Sequence, residues 1–167
     1  ITCAILLPSL FTAFFDALSI GMTISLGALC ISITDAPGPI VHKRNSMLAG
    51  LVVVFITAFI TGFARMNDYV LGIEIFLGSF LFSMFVVYGA RAAGIGSAAL
   101  LVLILTMDQP LPPGDVLTHS LLILSGGIWY TLISLAFHII RPYRPAQRLL
   151  GLSIRELARY IEIKADF

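Results

Sequence analysis

Apolar residues run along this chain in long blocks, separated by short clusters of charge, proline and glycine. The first block, Ile1 to Phe15, carries Pro8 and ends at Asp16. The second runs from Ala17 to Thr34, with Gly21, Ser25 and Gly27 inside it. The third, Met47 to Ala64, is rich in Val, Ile and Phe. The fourth, Tyr69 to Tyr88, holds one acid, Glu74. The fifth, Ala92 to Met107, opens Gly94-Ile95-Gly96, and the sixth covers Val116 to Ile140. None alternates as a strand would, and a helix needs about 20 apolar residues to cross a bilayer. The pattern predicts an all-α polytopic bundle of six transmembrane helices in residues 1–140, the first of them truncated.

The breaks shape the rest. Proline removes a backbone donor and disfavours helix in the residue before it, so no helix passes through Pro37-Gly38-Pro39. Three prolines stiffen the loop from Asp108 to Asp115. Gly89-Ala90-Arg91 is short enough to make the fourth and fifth helices antiparallel neighbours. After Arg141-Pro142-Tyr143-Arg144-Pro145 the pattern changes. Leu150, Ile154, Leu157 and Ile161 recur at helical spacing, with Arg155, Glu156, Arg159 and Glu162 mostly off that face. Residues 141–167 are therefore expected to begin a cytoplasmic helical domain; a helix lying on the membrane surface is the alternative. The chain opens inside one apolar run and closes inside a helical pattern, and it is expected to be a fragment of something longer.

Composition supplies the solvent. The 167 residues are 59% hydrophobic and 11% charged, against about 25% charged in a soluble domain. Lipid must face much of this surface. Charge supplies the orientation, since basic residues between spans mark the cytoplasmic side. Lys43, Arg44, Arg91, Arg141, Arg144 and Arg148 fall on one side, and Arg65 alone on the other. Both ends of the chain are then expected in the cytoplasm. Cys3 and Cys30 lie in apolar segments and read as small buried residues rather than a disulfide framework. No nucleophile with a base, no metal-ligand cluster and no phosphate loop appears in the sequence, so neither an enzyme, a metal nor a cofactor is expected.

Several blocks have a recognisable form. They are Leu26-Gly27-Ala28-Leu29, Thr34-Asp35-Ala36-Pro37-Gly38-Pro39, the run Tyr88 to Gly96, Gly126-Gly127-Ile128-Trp129-Tyr130, and the run Arg141 to Arg148. Together they resemble the fusaric acid resistance-like (FUSC) superfamily of bacterial inner-membrane proteins, in its YccS/YhfK branch. The resemblance covers essentially the whole chain. It implies a first membrane half, with a second half and further cytoplasmic helices elsewhere in the protein. It also implies transport of organic anions, because relatives include exporters of aromatic carboxylic acids and plant anion channels.

Candidate residues follow, each with a plainer use beside it. Asp35 is a proton or gating group, or a turn-forming acid. Glu74 lies inside a span, where an ionisable group is costly and suggests function; otherwise it snorkels outward or pairs with Arg65. Arg91 attracts an anion at the start of the fifth helix, or only sets orientation. Trp129 and Tyr130 sit mid-span and either stack on an aromatic substrate or pack. His138 relays protons or sits at the interface, and His119 belongs to the outer interface. Gly94, Gly96, Gly126 and Gly127 let helices approach closely. Pro37, Gly38, Pro39, Arg141, Pro142 and Arg144 are structural markers of the resemblance. The expected function is proton-coupled export of small organic carboxylates. A passive anion channel, or a membrane anchor for a cytoplasmic domain, is the alternative. Expected partners are the lipid bilayer, the remaining half of its own chain, a small organic anion and a homo-oligomer, with no nucleic acid.

Overall fold

A computed structural model describes residues 2–14, 18–35, 40–108, 112–140, 151, 153–158 and 160, without the side chains of Cys3, Pro113 and residues 138–140. Among the described residues up to 140, six α-helices follow one another: α1 (Thr2–Ala13), α2 (Leu18–Ile33), α3 (Ile40–Ala64), α4 (Asp68–Met84), α5 (Ala90–Asp108) and α6 (Val116–Ile140). No strand occurs among the described residues. The chain is an all-α polytopic membrane protein. Among the described residues, four stretches are long and apolar enough to cross a bilayer: Ile40–Ala64, Asp68–Tyr88, Ala90–Asp108 and Val116–Phe137. The apolar parts of α1 and α2 are shorter. The contacts divide the chain into residues 1–135 and 136–167. In the second unit, residues 153–158 are helical, with Ile154 and Leu157 exposed.

Local sequence explains most of the boundaries. Asn67 caps α4, its side-chain oxygen accepting the Tyr69 N–H at 3.1 Å. Such a cap satisfies one of the donors that a helix start leaves free. The same helix tightens into a 3-10 turn at Phe85–Tyr88 and stops at Gly89. Gly89 has φ 103°, a left-handed conformation that a Cβ penalises, so glycine makes the turn into α5 cheaply. One boundary differs from the sequence expectation: α3 begins at Ile40, so His42, Lys43 and Arg44 are helical rather than part of a loop. Nothing between Ile40 and Met47 breaks a helix, and Lys and Arg are good helix formers.

Packing rests on close backbone approach. A Cβ on Gly126 of α6 would overlap the Ile24 carbonyl of α2, and one on Gly27 of α2 would overlap the Ile123 carbonyl of α6. The two notches are reciprocal, so these helices cross backbone to backbone. Lipid tails are as apolar as side chains, so such contact, rather than exclusion of water, draws membrane helices together. Gly127 faces Leu51 and Ile31 side chains, and Gly96 faces the Phe82 carbonyl of α4. A Cβ on Gly94 would lie 3.0 Å from the Ile33 carbonyl, so its absence sets the first turns of α5 against the end of α2. The core these contacts enclose includes Ala28, Ile31, Met47, Val54, Ala98 and Val102. Helix α4 has no buried residue; it leans on α3 and α5 and leaves Ile73, Phe76 and Phe80 to lipid.

Gly72, in α4, has no atom within 4 Å of its would-be Cβ. Gly126→Ala should therefore lower stability by about 1–3 kcal/mol through overpacking. Gly72→Ala should raise it by about 0.5–1 kcal/mol through helix propensity. Melting of the two variants in detergent, followed by circular dichroism, should shift in opposite directions.

Candidate functional site

Two polar clusters lie within residues 1–135, at opposite ends of the helix bundle. The first is built around Asp35, just past the end of α2. One carboxylate oxygen, Oδ1, pairs with Lys43 Nζ of α3 at 2.8 Å. The other, Oδ2, accepts the Tyr130 hydroxyl at 3.2 Å and the Ser134 hydroxyl at 2.7 Å. Tyr130 and Ser134 stand one turn apart on α6, a spacing that places them on the same face. The cluster thus ties α2, α3 and α6 together. Tyr130 and Ser134 come 14 and 18 residues after Val116, about 21 and 27 Å along the helix. In a hydrocarbon layer about 30 Å thick the cluster therefore lies toward the far edge of the span rather than at its middle. Asp35 and Lys43 keep 13% and 11% of their side-chain surface exposed, while Tyr130 is 1% exposed.

Such an arrangement answers a cost. A charge moved out of water must be paired and hydrogen-bonded. Asp35 meets that demand with one cation and two hydroxyls from other helices. Local turn formation, the plainer use read from the sequence, accounts for only its backbone N–H, which donates to the Ser32 carbonyl at 3.2 Å. The first turn of α5, bearing a partly exposed Arg91, lies at this same end of the bundle. It is placed there by Gly94 packing on Ile33 and Thr34.

The second cluster lies toward the other end. Glu74 is six residues into α4, about 9 Å along its axis. Its Oε1 accepts the Thr61 hydroxyl of α3 at 2.7 Å. Its Oε2 is buried without a partner. Arg65 does not pair with it; among the described residues the one ion pair is Lys43–Asp35. Nη1 of Arg65 is likewise buried without a partner. Glu74 also borders an apolar groove of about 510 Å³ between α3 and α4, with Ile56, Ile60, Ile73, Leu77 and Leu81 on its walls.

Trp129 belongs to neither cluster. Its indole N–H donates to the Ala4 carbonyl of α1 at 3.3 Å. That acceptor has a reason to be free. Pro8 has no N–H, so the carbonyl four residues before it loses its helical partner. Trp129 supplies the missing donor, as neighbouring helices do for prolines inside a membrane. Glu74, Arg91 and Trp129 therefore do not share one cavity. Glu74 and Arg91 are separated by roughly 20 Å of helix. His119 is buried near the start of α6. The His138 side chain, and Pro37, Gly38, Pro39, Arg141, Pro142 and Arg144, lie outside the described residues.

Sequence reading missed Lys43, Ser134 and Thr61 as members of these clusters. Lys43 was counted only as an orientation charge. Ser134 follows Tyr130 by four residues, a spacing visible in the sequence, but nothing there pointed it at Asp35. The Pro8-to-Ala4 offset was a legible signal that some donor had to arrive.

Residues 47–167 match the family model described as FUSC-like inner membrane protein yccS. The chain is 26% identical over 142 residues to the inner membrane protein YccS of Escherichia coli, covering 85% of this chain and 20% of that protein. It is 24% identical over 157 residues to an uncharacterized protein of Haemophilus influenzae, covering 92% of this chain and 22% of that one. The chain thus spans about a fifth of the length of these relatives. No solved structure matches it.

The Trp129–Ala4 bond gives a sharp expectation. Trp129→Phe should cost about 0.5–1.5 kcal/mol for the lost hydrogen bond, plus any loss of packing. In a Pro8→Ala background the helix supplies its own donor to Ala4, so the same substitution should cost less. A double-mutant cycle read from thermal melting measures the difference. Equal costs in both backgrounds would show that the bond contributes nothing.

Proposed function

The chain belongs to the FUSC-like inner membrane protein family, and from that premise we propose that it is the membrane half of a proton-linked exporter of small organic carboxylates. The observation that carries this proposal is Glu74. It is a carboxylate inside a span, with one oxygen bonded to Thr61 and the other buried without a partner, beside an apolar groove. Ionisable groups at such depth are costly and are typically paired or functional. A purely structural acid there would be expected to have both oxygens satisfied. Glu74 is suited to taking up and releasing a proton as the bundle alternates between its two faces.

The basic-residue asymmetry supports the orientation in which the Asp35 and Arg91 end, together with both chain ends, is cytoplasmic. An anion arriving from that side meets Arg91 and the positive start of α5. Proton and anion are then handled at opposite ends of the bundle, so one alternation of the bundle exchanges one for the other.

The test is uptake of benzoate into inverted membrane vesicles that carry the full-length protein, with and without a proton gradient. Glu74→Gln, which keeps the shape and the bond from Thr61, should fold normally and lose at least tenfold of gradient-driven uptake. Arg91→Ala should raise the half-saturating benzoate concentration several-fold with a smaller effect on the maximal rate. Wild-type gradient dependence in Glu74→Gln would remove Glu74 from the coupling. No uptake by the wild-type protein would overturn export in favour of a membrane anchor for a cytoplasmic domain.

A further inference from the structure

Lys43, Tyr130 and Ser134 set an ammonium and two hydroxyls around one carboxylate, at 2.8, 3.2 and 2.7 Å. A carboxylate leaving water needs this combination: an opposite charge on one oxygen and directed O–H donors on the other. All three donors stand on helices, Lys43 on α3 and the other two on α6. The carboxylate they hold is the chain's own and is mounted differently. Asp35 lies beyond the end of α2, outside any helix. The donors are thus fixed by helical backbone, whereas the acceptor is attached through a non-helical residue.

We propose that Lys43, Tyr130 and Ser134 form a binding site for an organic carboxylate, and that Asp35 is a tethered stand-in which the arriving anion displaces. The proposal rests on the reading of the chain as handling organic anions, and it names residues for their capture. Exposure shows the direction of approach. Asp35 and Lys43 keep 13% and 11% of their surface and Ser134 is also partly exposed, whereas Tyr130 is sealed at 1%, so an anion meets the Tyr130 hydroxyl last. The neighbouring start of α5 and Arg91 make the local potential positive, which favours a second anion in the moments of exchange. Displacement leaves no buried cation bare, because one carboxylate replaces another on the same donors.

The tether also sets the affinity. A group attached by a short segment competes at an effective concentration on the order of mM. Wild-type protein should therefore bind a free carboxylate weakly, and removing the tethered one should strengthen binding.

Purified full-length protein in detergent, titrated with benzoate by calorimetry, tests this. Asp35→Ala should bind benzoate at least tenfold more tightly than wild type, and its melting temperature should rise with benzoate or acetate. Benzylamine, similar in shape and opposite in charge, should do neither. Adding Lys43→Met to Asp35→Ala should abolish both effects. If Asp35→Ala is recovered folded only when benzoate or acetate is present during extraction, that is the same result by another readout. Asp35→Asn, which keeps the shape and lacks the charge, should tighten benzoate binding by a smaller factor. Equal benzoate affinity in wild type, Asp35→Ala and Asp35→Asn would overturn the proposal and leave the cluster as a clamp between helices. So would a benzoate effect that persists without Lys43. Tightened binding in Asp35→Ala with no benzoate movement in vesicles would overturn export and keep the site. Normal transport with unchanged binding would overturn the site and keep export.

Discussion

Hydrocarbon offers neither donors nor acceptors, so each polar group that the chain carries into a span must find its partner in the protein. Much of the arrangement follows from that demand. Pro8 frees the Ala4 carbonyl, and Trp129 is placed across α1 to meet it. Asp35 ends α2 with a charge, and α3 and α6 come together around it with three donors. Threonine and serine hydroxyls along α2, α3 and α6 turn back onto carbonyls of their own helices, as Thr23, Thr57, Ser120 and Thr131 do. Helix positions are thus set by polar satisfaction at a few points and by glycine contacts between them.

The two mechanisms divide the bundle. Midway along α2 and α6 the helices meet backbone to backbone through Gly27 and Gly126, where no polar side chain is needed. Toward the Asp35 end the same two elements are joined by hydrogen bonds to one carboxylate. A glycine crossing holds distance and tolerates little change. The backbone contact and the hydrogen-bonded one therefore lie along a single helix pair. Glu74 stands apart on α4, a helix with no buried residue and few close neighbours, and there polar satisfaction is incomplete.

The six apolar blocks and the stop at Gly89 were legible from the chain because each depends on nearby residues; the Asn67 cap of α4 is just as local but was not read. Glycine or asparagine at a boundary acts within one turn, and an apolar block needs only its own length to specify a span in lipid. Local too was the reason that α3 starts early, but the basic cluster was read by its charge rather than by its helix propensity. The resemblance carried in blocks such as Gly126 to Tyr130 was equally a property of the sequence, and the family match over residues 47–167 agrees with it.

Which polar groups meet is another matter. Asp35 and Ser134 are 99 residues apart, and Ala4 and Trp129 are 125 apart. Hydrophobic periodicity fixes that a segment is a helix, but an all-round apolar helix has no marked face, so the sequence leaves its rotation and neighbours open. Only the packed bundle decided that Lys43 serves Asp35 rather than the loop, that Glu74 bonds Thr61 rather than Arg65, and that Trp129 is committed to α1. In water an amphipathic stripe announces the inward face of a helix. In lipid both faces are apolar, and the contact between faces is chosen by small residues and a handful of hydrogen bonds that take effect only in three dimensions.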